Sequence, residues 1–288
     1  MDDYREKLIA LMHYPGISWS AVLQYLKKDS SFQTKPHYIQ QNLFSSTAHT
    51  NLPSTTSLQS KIIKEQIQQY EKNGIKAITI FDENYPSLLK EIYQPPWVLF
   101  AKGNLSLLVK QPKLAVVGSR QATQYGKSAI RLLFPPLVEK GVVIVSGLAS
   151  GIDSLAHEYA MKNSGDTIAV IAGGLNHIYP KENTELAREM MKTQLVVSEY
   201  PPNTKPERWH FPARNRIISG MSNGTFIIEA KRKSGSLITA NYAVNEGREV
   251  FSLPGSIFNP YSLGTNDLIQ QGAKPVLCSE DILDELPL

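Results

Sequence analysis

The amino-acid sequence predicts an α/β chain: a doubly wound, mainly parallel sheet preceded by a small all-helical N-terminal domain. Three observations lead there. From Lys76 onward, short β-rich runs alternate with helical patterns, the order that βαβ units write into a chain. Several of those runs are apolar without a break, as strands covered on both faces must be. Before Lys76 the apolar spacing is helical wherever it is regular.

Residues 1 to about 70 form the helical domain. LIALMHYPGISWSAVLQYL places apolar groups on either side of Pro15-Gly16, which predicts two short helices joined by a tight turn. Ser30 to Ser60 is rich in Ser, Thr, Gln and Asn and poor in apolar anchors, the composition of a polar linker. KIIKEQIQQYEKNG resumes a helical period and stops at Gly74. The second domain, 76–288, offers the strand runs KAITIF, WVLFAKG, KLAVVGS, VVIVSG, TIAVIAGG, QLVVSEY, GTFIIEA, REVFSLPG and KPVLC. Helical segments at 124–140, 151–163, 182–192 and 236–246 lie between them. No internal repeat is present.

With 42% hydrophobic and 19% charged residues among 288, the composition is that of a soluble chain. It is long enough for one large core or a core with a small second domain. MDDYREKLIALMHY is charged and lacks the apolar core and cleavage site of a signal peptide. No apolar run approaches the ~18 residues of a membrane span. The single cysteine, Cys278, excludes an internal disulfide and a thiolate metal cluster; a reducing, cytoplasmic setting is the expectation. Net charge is +4, yet between Lys205 and Lys233 seven Lys or Arg face two acids, so the remainder is close to neutral. Such a segment suits a polyanionic partner as well as a solvated basic surface.

In an open α/β sheet, ligands bind beyond the carboxyl ends of the strands. There the sequence places Gly118-Ser119-Arg120, GLASGID with Gly147 and Gly151, Ala172-Gly173-Gly174, and KRKSGS ahead of a helix. Glycine at such turns lets backbone approach a ligand, and the following helix offers unpaired N–H groups and its positive end. Together they make a candidate anion-binding rim. Neither G-x-G-x-x-G nor G-x-x-x-x-G-K-[ST] occurs, against a dinucleotide enzyme or a P-loop ATPase. The six histidines show no metal-ligand spacing, and Ser146, Ser198 and Ser219 lie in no nucleophile elbow. No catalytic residue, metal or cofactor is expected. Ile152, Leu155, Ala156, Tyr159 and Ala160 form the packed stripe of the helix 151–163. Asp153 in its first turn reads as a structural helix-end carboxylate, and His157 as a packed or partly exposed histidine.

The basic groups are placed differently. Arg120 follows a strand and a glycine, and Lys181 stands with Asn183 in IYPKEN. HFPARNRIISG puts Arg214, Asn215 and Arg216 at the start of a helix that its isoleucines anchor to the sheet. Cations there are unfavourable without a negative partner. Lys231, Arg232 and Lys233 precede Ser234-Gly235-Ser236. Arginine forks match phosphate geometry, and a basic groove with aromatics suits single-stranded nucleic acid. Phe211, Trp209 and Tyr179 are the stacking candidates, with core or proline packing the preferred reading for Trp209 and Tyr179.

GSR, SGLASGID, AGGLNHIYPKEN, SEYPP, HFPARNRIISG, EAKRKSGSLITA, GREVFSLPG and GTNDLIQQGAKPV occur in this order. Together they resemble the DNA-processing protein A family (DprA, also called Smf) over about residues 76 to 285. PGISWSAVLQYL is similar to that family's small helical domain, a sterile-alpha-motif or helix-hairpin-helix-like module. The resemblance implies an extended Rossmann-like fold that binds single-stranded DNA without sequence preference. It implies a homodimer that loads the RecA recombinase onto incoming DNA in natural transformation and displaces single-strand-binding protein. Such proteins are mediators, not enzymes. By motif, Arg120, Lys181, the arginines of HFPARNR and Lys231 would hold phosphates, with the glycine turns supplying N–H groups. The expected DNA-binding set is Gly118, Ser119, Arg120, Gly147, Gly151, Gly173, Gly174, Lys181, Asn183, Phe211, Arg214, Asn215, Arg216, Lys231, Ser234, Gly235 and Ser236.

The chain departs from the family at two places. Many members end in a winged helix, which is not expected here after DILDELPL; and Thr184 and Leu186 stand where the family carries a stacking aromatic. Dimer contacts are expected around Ile257 to Gln271. The alternative is a nucleotide-processing hydrolase on a related fold, with Glu199 or Glu229 as its carboxylate. The preferred role of both is to hold arginines by ion pairs.

Overall fold

The computed structural model describes residues 3–14, 16–28 and 61–288. The expected linker at 30–60 lies outside the described residues. Helices α1 (Asp3–Leu11) and α2 (Trp19–Lys28) flank the predicted turn, where Gly16 has φ 69°. Helix α3 (Lys61–Lys72) ends just before Gly74, at φ 72°. Leu8, Leu11, Val22, Leu26 and Tyr70 from these helices join the hydrophobic cluster of the sheet. Two tryptophans fix the contact. Trp19 stacks on Trp97 at 4.9 Å and donates Nε1–H to Pro95 O at 2.7 Å. Trp97 Nε1–H donates in turn to Trp19 O at 3.2 Å.

From residue 76 the elements alternate as predicted. They are β1 (Lys76–Thr79), α4 (Ser87–Lys90), β2 (Val98–Gly103), β3 (Lys113–Val117), α5 (Gln124–Glu139), β4 (Val143–Ser146), α6 (Ile152–Lys162) and β5 (Thr167–Val170). They continue with α7 (Thr184–Thr193), β6 (Leu195–Ser198), α8 (His210–Gly220), β7 (Gly224–Ile227), α9 (Gly235–Asn245), β8 (Glu249–Ser252), α10 (Leu263–Gln270), β9 (Lys274–Pro275) and α11 (Glu280–Leu283). Among the described residues the strands form one nine-stranded sheet, ordered β1-β2-β6-β5-β4-β3-β7-β8-β9. It is parallel from β6 to β9, and β1 and β2 add an antiparallel edge.

Burial explains the unbroken apolar runs. In β3, Leu114 and Val116 face α5 and α6, while Ala115 and Val117 join the opposite layer with Ile217 and Ile218 of α8 and Ala240 of α9. No helix among the described residues is long and apolar enough to cross a membrane.

The topology also positions a site. From β3 the chain steps outward through β4, β5 and β6, then returns through α8 to β7 on the other side of β3. A doubly wound sheet opens a crevice at such a reversal, outside the strands' carboxyl ends. Here those ends lead into Gly118-Ser119-Arg120, Gly147 and Ala230-Lys231.

Candidate nucleic-acid interface

A groove of about 780 Å³ occupies that crevice. Gly118, Ser119 and Arg120 wall it from the β3 turn, and Phe211, Arg214 and Asn215 from α8. Lys231, Lys233 and Ser234-Gly235-Ser236 close it from the β7–α9 turn. Tyr179 also lines the groove, and a side pocket of about 50 Å³ beside Arg120 and Phe211 adds Gly147. Arg120, Lys231 and Lys233 are exposed, and none pairs with a carboxylate among the described residues. Two of them lie over aromatic rings: Arg120 over Phe211 at 5.7 Å and Lys231 over Tyr261 at 4.5 Å. A ring face steadies a cation without neutralising it. Arg232, between the two lysines, is turned away onto Asp267, with Nε 2.9 Å from Oδ2.

The two arginines of HFPARNRIISG have their negative partners inside the protein, which departs from the expectation that both face a phosphate. Arg214 is only 5% exposed. Its guanidinium donates to Val170 O at 2.6 Å and to Gly147 O, gathering the carboxyl ends of β5 and β4. Asp153 holds the same residue by its N–H, accepting from Gly147 N at 3.2 Å and also from the backbone N–H groups of Ala149 and Gly118. Gly147 is thus held through both its N–H and its carbonyl. A Cβ there would stand 2.3 Å from Arg214 Nη1 and 2.6 Å from Asp153 Oδ2, so only glycine fits. Burial pushes the Asp153 carboxyl up, opposed by Arg214. Burial also lowers Arg214 to about 10, offset by Asp153, which leaves it cationic at neutral pH. Arg216 bonds Glu199, with both side chains 13% exposed.

The remaining glycine turns also serve the chain. Gly151 has φ 83°, and a Cβ on it would lie 2.3 Å from Ser119 O; its lack of a side chain seats the start of α6 against the β3 turn. Gly174 donates its N–H to Thr204 O at 2.8 Å, and Gly173 O accepts from Ser198 Oγ at 2.7 Å. Neither lines the groove. Asn183 is buried, its Nδ2 donating to Leu148 O at 2.9 Å. Lys181 is exposed but is not a groove wall. Its turn is tied to the side pocket by Ser150 Oγ, which donates to Glu182 Oε1 at 2.5 Å.

The model of the family "DNA recombination-mediator protein A" matches residues 76–287. The DNA processing protein DprA of Bacillus subtilis is 55% identical over 218 residues, 76% of this chain and 73% of that protein. Its Streptococcus pneumoniae counterpart is 50% identical over 209 residues, 73% of either chain. The chain belongs to the DNA recombination-mediator protein A family. The X-ray structure of S. pneumoniae DprA covers 99% of this chain and 97% of its own, with a TM-score of 0.78 at 38% identity. The structure of Helicobacter pylori DNA processing protein A, described for its single-stranded DNA binding mode, covers 73% of this chain and 94% of its own, with a TM-score of 0.66 at 32% identity.

Three sequence expectations need correction. Trp209 and Tyr179 are not core residues: they are 60% and 51% exposed. Tyr179 lies edge-on to Phe211 at 5.5 Å. Glu199 holds Arg216 as expected, but Glu229 holds no arginine. It is buried and accepts from Thr123 N at 2.9 Å and Thr123 Oγ1 at 2.5 Å, fixing the start of α5. His157 is fully buried, in keeping with the packed alternative the sequence offered. Sequence reasoning missed Tyr261 as a groove residue. It arrives from the loop after β8, zipped to the β7 end by Ala230 N–H donating to Tyr261 O at 2.7 Å and Gly264 N–H donating to Ala230 O at 2.8 Å. A lone tyrosine between two of the motifs carries no local signal of that pairing.

Proposed function

We propose that the protein binds single-stranded DNA without sequence preference along this groove. In this reading it is a homodimeric recombination mediator that loads the RecA recombinase onto incoming DNA in natural transformation and displaces single-strand-binding protein, with no chemistry of its own. The observation that carries the DNA reading is the pairing of un-neutralised cations with aromatic rings on two walls of one groove, Arg120 with Phe211 and Lys231 with Tyr261. Cations take any phosphate and ring faces take any base. Arg120, Lys231 and Lys233 hold phosphates, helped by Ser119, Asn215 and the start of α9. Phe211 and Tyr179 stack bases, and Lys181 extends the track past the side pocket. Arg214, Arg216, Gly147 and Asn183 hold the frame. The family membership and the described single-stranded DNA binding of the H. pylori relative support the same reading. The hydrolase alternative has nothing in its favour here, since Glu199 and Glu229 are both engaged within the protein.

Fluorescence anisotropy with labelled oligo-dT, and with a duplex of equal length, at two salt concentrations tests the proposal. Tight, salt-sensitive binding of oligo-dT is expected, with loss in Arg120→Ala/Lys231→Ala. Wild-type affinity in that variant refutes the assignment of the groove.

A further inference from the structure

We propose that a second basic groove, between α5 and α6, takes the single strand where it leaves the rim, so that the DNA track continues down the outer face of the sheet. The inference rests on the single-stranded DNA reading of the rim. The groove has a volume of about 200 Å³ and opens between Lys127, Ile130 and Arg131 of α5 and Leu155, Tyr159 and Lys162 of α6, with Glu158 the acid in its wall. Lys127, Arg131 and Lys162 are exposed. None of them is within ion-pair distance of a carboxylate among the described residues, Glu158 included. Ile130 and Leu155 supply an apolar floor. Tyr159 packs edge-on against buried Phe134 at 6.3 Å and 82°, which fixes its ring while part of it stays open. Basic walls, an apolar floor and a fixed aromatic are the ingredients that hold single strands regardless of sequence.

Continuity with the rim selects DNA as the occupant. Both helices start there: Thr123, the cap of α5, is bound to Glu229 at the end of β7, and the start of α6 is seated on Ser119 through Ile152 N–H donating to Ser119 O at 3.1 Å. Both then run back along the sheet. Lys127 therefore lies one turn from the rim, and Arg131 about 6 Å further on, the rise of four helical residues. A strand that passes Arg120 and turns over the start of α5 meets these cations next. An acidic peptide would find the same charges but has no reason to follow the rim.

The test compares oligo-dT of increasing length by anisotropy, in wild type, in the groove variant Lys127→Ala/Arg131→Ala/Lys162→Ala and in the rim variant Arg120→Ala/Lys231→Ala. A control variant removes Lys72, Lys76 and Lys192, exposed cations elsewhere. The groove variant is expected to bind the shortest oligonucleotides as wild type does and to lose the gain with length. That loss is about tenfold for a long oligonucleotide at low salt, with a salt slope smaller by about 2, since each phosphate contact on a single strand contributes about 0.7. Wild-type behaviour of the groove variant at every length overturns the inference while leaving the rim intact. So does an equal loss in the control, or competition by polyglutamate without any length effect. Failure of the rim reading is separate: the rim variant then binds even the shortest oligonucleotides as wild type does.

Discussion

Arg214 and Arg120 share a groove, yet the structure gives them opposite jobs, and substitution separates them. Arg214→Met keeps the length of the side chain but deletes the guanidinium. Val170 O and Gly147 O each lose their donor, at about 1–3 kcal/mol per stranded buried acceptor. Asp153, buried nearby, also loses the positive charge that opposes the upward push of burial on its carboxyl, which adds to the cost. The two costs overlap because the same group serves all three partners, so the expected loss is about 4 kcal/mol. For a chain of this size that lowers Tm by roughly 8–16 °C. Urea unfolding followed by circular dichroism reads it directly. Adding Asp153→Asn should restore part of the loss, because a neutral amide needs no cation. Arg120→Ala, on an exposed side chain, should move stability by less than about 0.5 kcal/mol while weakening oligo-dT binding. The reasoning is refuted if Arg214→Met unfolds at the wild-type midpoint and loses DNA binding as Arg120→Ala does.

Two further outcomes follow from the packing. Thr167 spends its hydroxyl proton on Ile144 O at 2.7 Å, so His157 Nδ1–H must donate to Thr167 Oγ1 at 2.6 Å, and its buried Nε2 has no partner. Burial, with the charge of Arg214 second, lowers His157 from 6.5 to about 3. The depressed value makes its contribution complete above pH ~6.5 and lost as pH falls toward 3. Between pH 8 and 5 the loss is about 2 kcal/mol, and His157→Gln should flatten the pH dependence of the unfolding free energy by that amount; identical slopes sink the reading. Trp19→Ala removes the stack on Trp97 and the bond to Pro95, and should cost about 2–3 kcal/mol for a partly buried indole; an unchanged urea midpoint shows that the N-terminal helices are held elsewhere.

The sheet was readable because its signal is local. The strands from β3 to β8 are short, mostly apolar runs buried along nearly their whole length, the pattern that cover on both faces imposes. That HFPARNRIISG carries a sheet-packed helix was readable for a similar reason, as Ile217 and Ile218 bury against the sheet; its start was not, because the helix begins at His210 and so places Arg214 and Arg216 mid-helix rather than at its N-terminus. What a glycine or an arginine is for was not readable, because the answer lies in a distant segment. Gly147 reads as a ligand turn until Asp153 and Arg214 are seen holding its N–H and its carbonyl. Which of the two arginines Glu199 would hold was not legible either; the structure gives it Arg216. Trp209 and Tyr179 misled in the other direction: large rings near prolines usually pack, yet here both stay exposed, Tyr179 on the groove wall.

The internal carboxylate bears on how this rim can hold a strand at all. At the reversal of a doubly wound sheet, the N–H groups of the turns after β3 and β4 are the usual anion donors. In this chain those of Gly118, Gly147 and Ala149 are already taken by the Asp153 carboxyl group, so they are not open to a phosphate. What remains for DNA is mobile charge at the margins: Arg120 on one wall, Lys231 and Lys233 on the other, and the first turn of α9, where Gly235 has open space above it. Contacts made by long side chains fix no register and read no base, whereas a backbone cradle would fix one phosphate in one place. On the proposed reading, sequence-independent binding that weakens with salt, by about 0.7 in the logarithmic slope per phosphate held, is therefore the expected behaviour, and a fixed register on the strand would refute it.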